Sequence, residues 1–235
     1  MGKGLLAAAT ILIIILTLCS CHKSTVPTLP QSTESQASTP VVPTQTEQGV
    51  VFLSDFAYRD INGYLHVIGE IRNDTTGNVN QVKINVSLLD TGGNITATRA
   101  NLSYLFLLEP QQRSPFDVIF QVVSDEIPNY QMELSWQTTD ETPKTRIQIQ
   151  QTSAHIDEES YYWVNGEVQN IGSQASDLIV IIGTFYDSAG QVVAMASGFP
   201  DIVPLEPGES SSFVLVVEIP EHVTIQGLLV QAEAY

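Results

Sequence analysis

Slid along itself by 97 positions, the chain matches itself without a gap: 16 of the 78 pairs between residues 51 and 128 and their counterparts are identical. Tyr64, Val67, Gly69, Glu70 and Asn73 fall on Tyr161, Val164, Gly166, Glu167 and Asn170. Ile84, Asp90 and Gly93 fall on Ile181, Asp187 and Gly190, and Leu108-Glu109-Pro110 falls on Leu205-Glu206-Pro207. Ser114 and Phe116 fall on Ser211 and Phe213. These matches concentrate at turn residues and inward-facing apolar positions, where a shared fold constrains identity. The spacing therefore predicts one small module written twice, each copy closing its own core. The boundary falls at Glu141-Thr142-Pro143-Lys144, dividing 50–142 from 143–235.

Each copy reads as β. The predicted strands of the first copy are 52–58, 64–73, 82–89, 94–104, 115–122 and 131–138. Those of the second are 147–156, 161–170, 178–186, 191–199, 212–219 and 228–235. The alternation is clearest in Val82-Lys83-Ile84-Asn85-Val86-Ser87-Leu88, where the apolar set faces a core and the polar set faces water. No helical stripe follows residue 21. Short strands joined by Gly and Pro turns predict an all-β chain of two tandem immunoglobulin-like β-sandwiches. The Cys–Trp–Cys pin of antibody domains is missing, so apolar packing must hold each core alone. Asp90 and Asp187 open turns that Gly93 and Gly190 close. Glu206-Pro207-Gly208-Glu209 reads as a type II turn, whereas Glu109-Pro110-Gln111-Gln112, lacking the Gly, reads as type I.

The motifs of the second copy, Gly166-Glu167-Val168-Gln169-Asn170, Phe185-Tyr186-Asp187, Gly190 and Leu205-Glu206-Pro207-Gly208-Glu209, resemble the FxLYD domain. The first copy resembles it through Gly69-Glu70-Ile71-Arg72-Asn73, Leu88-Leu89-Asp90, Gly93 and Leu108-Glu109-Pro110, with Leu89 in place of the family's aromatic residue. The resemblance covers residues 50–235. It implies small β-sandwich domains of exported prokaryotic proteins, often lipoproteins, and brings no activity, ligand or catalytic residue.

The N-terminus reads as an address. Lys3 precedes an apolar run from Leu5 to Leu18, which as a helix would span about 21 Å against the roughly 30 Å of a hydrocarbon core. A signal peptide over 1–20 fits better than a permanent membrane span. Leu18-Cys19-Ser20-Cys21 resembles the lipobox of secreted lipoproteins, which implies cleavage before Cys21 and a lipid on its thiolate. Acyl chains on Cys21 would hold the chain at the outer face of the cell membrane, or of an outer membrane, by apolar burial. Residues 21–49 hold ten Ser or Thr, four Pro and four Gln and no aromatic residue after Cys21. Such a segment cannot offset its ordering entropy by burial and reads as a disordered tether.

Charge narrows the partners. Nine Lys and Arg face 26 Asp and Glu, a net charge of −17 that opposes nucleic-acid binding. Two Cys cannot build a disulfide scaffold or a multi-thiolate metal centre. His22, His66, His155 and His222 show no close metal-ligand spacing, and neither a Gly-x-Ser-x-Gly elbow nor a phosphate loop occurs. No catalytic residue, metal ligand or cofactor is expected. Asp60 and Asp157, equivalent in the repeat, suit either a calcium ligand or a hairpin turn. Asn73, Asn85, Asn94 and Asn101 each begin an Asn-x-Ser/Thr triplet.

One contrast between the copies points to a surface. Gln81, Lys83, Asn85 and Ser87 of the first copy become Leu178, Val180, Ile182 and Thr184 in the second; Asp117 becomes Val214, and His66 becomes Trp163. The expectation is an apolar outer face drawn from Tyr161, Trp163, Val180, Ile182, Val214 and Val216, packed on the first copy, on a second chain or on an extracellular partner. The alternative is cover by the chain itself, for example by residues 199–211. The function expected from all this is a membrane-anchored, non-enzymatic module that binds a protein or an envelope polymer, or acts as a spacer. The alternatives are a hydrolase whose site forms only in three dimensions and a carrier of an apolar ligand.

Overall fold

The computed structural model describes residues 49–121, 127–220 and 222–235, so the predicted leader, Cys21 and the tether up to residue 48 lie outside the described residues. The first copy contains β1 (Val50–Arg59), β2 (Leu65–Asn73), β3 (Asn78–Leu89), β4 (Ile95–Leu102), β5 (Leu107–Leu108), β6 (Arg113–Phe120) and β7 (Asn129–Thr139). The second contains β8 (Ile147–Ile156), β9 (Tyr161–Asn170), β10 (Ile179–Tyr186), β11 (Val192–Gly198), β12 (Ser210–Glu218) and β13 (Gly227–Ala234). All pairing is antiparallel and stays within a copy: β1-β2-β6 with β4-β3-β5 and β7 on β3, then β12-β9-β8 with β11-β10-β13. The chain is all-β, two tandem β-sandwiches.

The repeat holds at the level of register. Leu65 pairs with Phe120, and Tyr162, 97 residues on, pairs with Val217. The irregularity between Phe52 and Ser54 recurs between Ile149 and Gln151, and the one after Leu88 recurs after Phe185. Even the short β5, which the periodicity did not predict, has a counterpart: Val79 opposite Leu108 becomes the isolated bridge of Ser176 with Leu205. Two residues give too little alternation to read, so β5 was legible only through its partner.

Strand alternation builds the cores. Val82, Ile84, Val86 and Leu88 are at most 1% exposed, with Leu65, Val67, Ile71, Phe116, Val118 and Phe120 opposite them. Ile181 and Phe185 occupy the same place in the second copy with Val164, Val168, Phe213 and Leu215. The matched Gly and Phe explain each other. A Cβ on Gly69 would sit 2.5 Å from the Phe116 ring and one on Gly166 would sit 2.4 Å from the Phe213 ring, so each aromatic packs against a bare backbone.

Asn73 and Asn170, at the ends of β2 and β9, are fully buried clips that also open the turns after them, accepting from Thr75 N and Gly172 N. The Asn73 amide donates to the carbonyls of Gly77 and Leu108. That of Asn170 donates to those of Gln174 and Leu205. Each clip also receives the turn that follows β5 or its counterpart, through Gln111 N donating to Asn73 O and Gly208 N to Asn170 O. This corrects one expectation. The turn at Glu109-Pro110-Gln111-Gln112 is not type I, because Gln111 takes φ 65°, matching Gly208 at φ 88°. The clip fixes the loop whether or not a glycine is there, and Gln111 carries the resulting strain.

Candidate functional site

The six residues of the expected apolar face do not form one surface. Val180 and Ile182 stand on β10, in the β11-β10-β13 sheet. Tyr161 and Trp163 stand on β9 and Val214 and Val216 on β12, in the opposite sheet of the sandwich. Strands that are neighbours in sequence pattern lie in different layers, so a per-strand comparison cannot say which outer faces coincide. Val214 and Val216 are 44% and 41% exposed, and Tyr161 and Trp163 are half-buried. Trp163 donates its indole N–H to Asp157 at 2.7 Å and stacks on His155.

Val180 and Ile182 are covered by the first copy. Ile182 is 0% exposed and belongs to the first copy's buried cluster, and Val180 packs against that cluster. Residues 199–211 run instead beside β12, where Pro200 bridges Phe213. Thus the outer face of β11-β10-β13 lies against the outer face of β1-β2-β6. Ile68 and Glu70, which point outward from β2, are 0% and 1% exposed beneath it.

Polar groups lock this seam. Tyr186 donates its hydroxyl to Glu70, which Arg113 also contacts at 3.3 Å. Val192 N donates to Ser54 Oγ, and Gln231 donates to Arg113 O at 3.1 Å. Glu233 accepts the backbone N–H of Leu107 at 2.9 Å and of Phe106 at 2.7 Å, and also the Tyr235 hydroxyl. Arg146 donates twice to Glu109, at 2.9 and 2.8 Å. Burial and then the Glu70 carboxylate push the Tyr186 phenol up, and burial and Glu233 do the same to Tyr235.

A cleft of about 340 Å³ opens on this seam, inside the range of ligand sites and at an interface between modules, where such sites concentrate. Its walls are Phe106 and Leu107 of the first copy, the connecting segment 141–147, and Ala232, Ala234 and Tyr235. Its charged groups are Glu109, Glu141, Lys144, Arg146 and Glu233. A smaller cleft of about 160 Å³ shares Phe106 and Tyr235, whose rings are 6.3 Å apart. Both clefts open to solvent. Sequence reasoning missed this site, because nothing in the pattern places the connecting segment beside β13. The one local signal was the break in alternation at Leu105-Phe106-Leu107.

A second polar cluster sits on the outer face of β1-β2-β6. His66 donates to Asp117 at 2.9 Å, lies 3.7 Å from Asp60 and stacks on Tyr58. Burial opposes its charge, but the hydrogen bond and charge of Asp117, and then Asp60, raise its pKa. Burial and the charges of Asp117, Asp60 and Glu218 push the Tyr58 phenol up. Asp60 Oδ1 accepts the N–H of Asn62 and Tyr64, and Asp157 Oδ1 accepts those of Glu159 and Tyr161. Both aspartates thus cap their own hairpins. No three His, Cys, Asp or Glu side chains converge for a metal among the described residues. His66, Asp60 and Asp117 line neither cleft. Of the glycosylation triplets, Asn73 has its amide committed in the core, whereas Asn94 and Asn101 are exposed.

No protein-family model matches the chain, and no curated protein does. Among solved structures the chain is similar to the crystal structure of a red sea bream transglutaminase, at 11% identity and a TM-score of 0.25, over 79% of this chain and 29% of that one. The chain spans less than a third of that protein's length, and the likeness carries no argument about fold or activity.

Proposed function

We propose that the chain is an exported, non-enzymatic binding module, held at the outer face of a membrane by lipid on Cys21 and presenting two interlocked β-sandwiches beyond a tether. The observation that carries this reading is the seam cleft. Its Glu109, Arg146 and Glu233 are engaged in holding the two copies together, so they serve as walls rather than as free acids and bases. The His66 cluster lies outside both clefts, its ring bonded to Asp117 at 2.9 Å with Asp60 3.7 Å away. A protein or an envelope polymer is the partner class that an open, wall-like site on an acidic, surface-held body suits.

Fractionation and crosslinking test it. Cys21→Ser should move the chain from the membrane fraction to the soluble exported fraction. Crosslinking of intact cells carrying the anchored full chain should yield one dominant adduct. Retention of the Cys21→Ser variant in the membrane would overturn the anchor, and the absence of any saturable adduct would overturn the binding role.

A further inference from the structure

Resting on the binding-module reading, we infer that the seam cleft takes an extended peptide of a partner protein by strand addition to the free edge of β13. Among the described residues β13 is the last strand of its sheet, paired only with β10. Its hydrogen-bond phase is fixed by Tyr235 N, which donates to Leu178 O at 3.0 Å in register with Ile179 opposite Ala234. In an antiparallel ladder, alternate residues bond the same neighbour. Leu229, Gln231, Glu233 and Tyr235 therefore turn their backbone groups to β10. Val230, Ala232 and Ala234 turn theirs to the open edge, while their side chains pack inward on the second core.

Ala232 and Ala234 are the two β13 residues of this phase that line the cleft. The cleft thus presents N–H and C=O groups repeating every two residues, about 6.8 Å apart, the spacing at which another strand offers its own. A sugar or an acyl chain has no such repeat; a peptide backbone does. Small side chains at 232 and 234 keep the core below from crowding that edge, and the connecting segment 141–147 forms the facing wall of the cleft. The side chains of an added strand would alternate between two environments. On one side the rings of Phe106 and Tyr235 suit an apolar residue, and on the other the exposed Lys144 suits an acidic one.

The test follows amide exchange in the full lipidated chain in detergent micelles. The probe is the capped pentapeptide acetyl-Val-Thr-Val-Thr-Val-amide at millimolar concentration. Strand addition predicts that exchange at Ala232 and Ala234 slows by about tenfold or more. The fully N-methylated peptide, with the same side chains and no donors, should give no protection. Ala232→Pro removes an edge donor without touching the β10 ladder, a substitution edge strands accept, and should abolish protection at Ala234. Absence of protection by the parent peptide would overturn the inference. Equal protection by the N-methylated peptide would do the same, as would protection by a neutral oligosaccharide such as chitotriose. The adduct in intact cells separates the two readings. If it persists in Ala232→Pro, this site falls and the binding module stands; if no adduct forms while the peptide still protects, the reverse holds.

Discussion

Replacing Asn170 by Ala should destabilise the protein by about 3 kcal/mol. The side chain makes four hydrogen bonds: it donates to Gln174 O and Leu205 O, at 2.7 and 2.8 Å, and accepts from Gly172 N and Thr145 Oγ1, each at 2.9 Å. At about 1 kcal/mol net per bond the ceiling is roughly 4 kcal/mol. Two partners soften the loss, since Leu205 O still accepts Ser176 N and Gln174 is exposed to water. Asn73→Ala should cost less, about 2 kcal/mol, because its acceptor side serves only the half-buried Thr75 and no distant residue like Thr145. Asn170→Asp is the decisive companion. It keeps the size and the acceptors but aims a carboxylate at two carbonyl oxygens, so at neutral pH it should be worse than Ala and should recover as acid restores a donor. Urea unfolding followed by tryptophan fluorescence measures all three, and Trp136 and Trp163 report one copy each. A loss below about 1 kcal/mol for Asn170→Ala, or equal losses for Ala and Asp, would refute the clip.

Four further outcomes are expected. Gly166→Ala places a Cβ 2.4 Å from the Phe213 ring and 2.7 Å from Gln151 O, and should destabilise by about 1–3 kcal/mol in urea unfolding. Gln111→Gly relieves a side chain held at φ 65° and should raise stability by up to about 1 kcal/mol, where an ordinary exposed glycine substitution lowers it. His66 has a folded pKa above its ordinary 6.5, so its stabilisation is complete below that value and fades as pH rises through the raised one; in His66→Gln the unfolding free energy should lose this fall above pH 6.5. Tyr186→Phe leaves the buried Glu70 with Arg113 and without its shorter hydroxyl partner, and should cost about 1–3 kcal/mol, while in Glu70→Gln the same change should cost less, a coupling that a double-mutant cycle reads directly.

Much of this architecture was legible because the constraint was local and written twice. Val82 to Leu88 alternates at the period of a pleated strand, and no other structure accommodates that pattern with one dry face. Gly69 matched Gly166 and Phe116 matched Phe213 in the repeat, whereas the close approach of each glycine to its phenylalanine ring emerged only from the structure. The site was not legible for the opposite reason. Glu233 reaches the backbone of Phe106 and Leu107 across 126 residues or more, and no periodicity encodes how one closed sandwich leans on another. The polar-to-apolar change on the third strand signalled cover at Val180 and Ile182 but could not say that Val214 and Val216 look the other way.

The seam accounts for part of the divergence between the copies. Where the first copy is covered, it carries Phe56, Ile68 and Pro115; the second copy has Ser153, Asn165 and Ser212 at those places, and there the face meets water. Where the second copy is covered, it carries Val180 and Ile182; the first copy has Lys83 and Asn85. Two identical modules joined head to tail would each keep one apolar face free and would extend into an open array. Ser153, Asn165 and Ser212 make part of the second copy's unused face polar, although Trp163 and Val214 stand there where the first copy has His66 and Asp117. The cleft persists between the copies because the connecting segment stands beside the edge of β13, which no described strand covers.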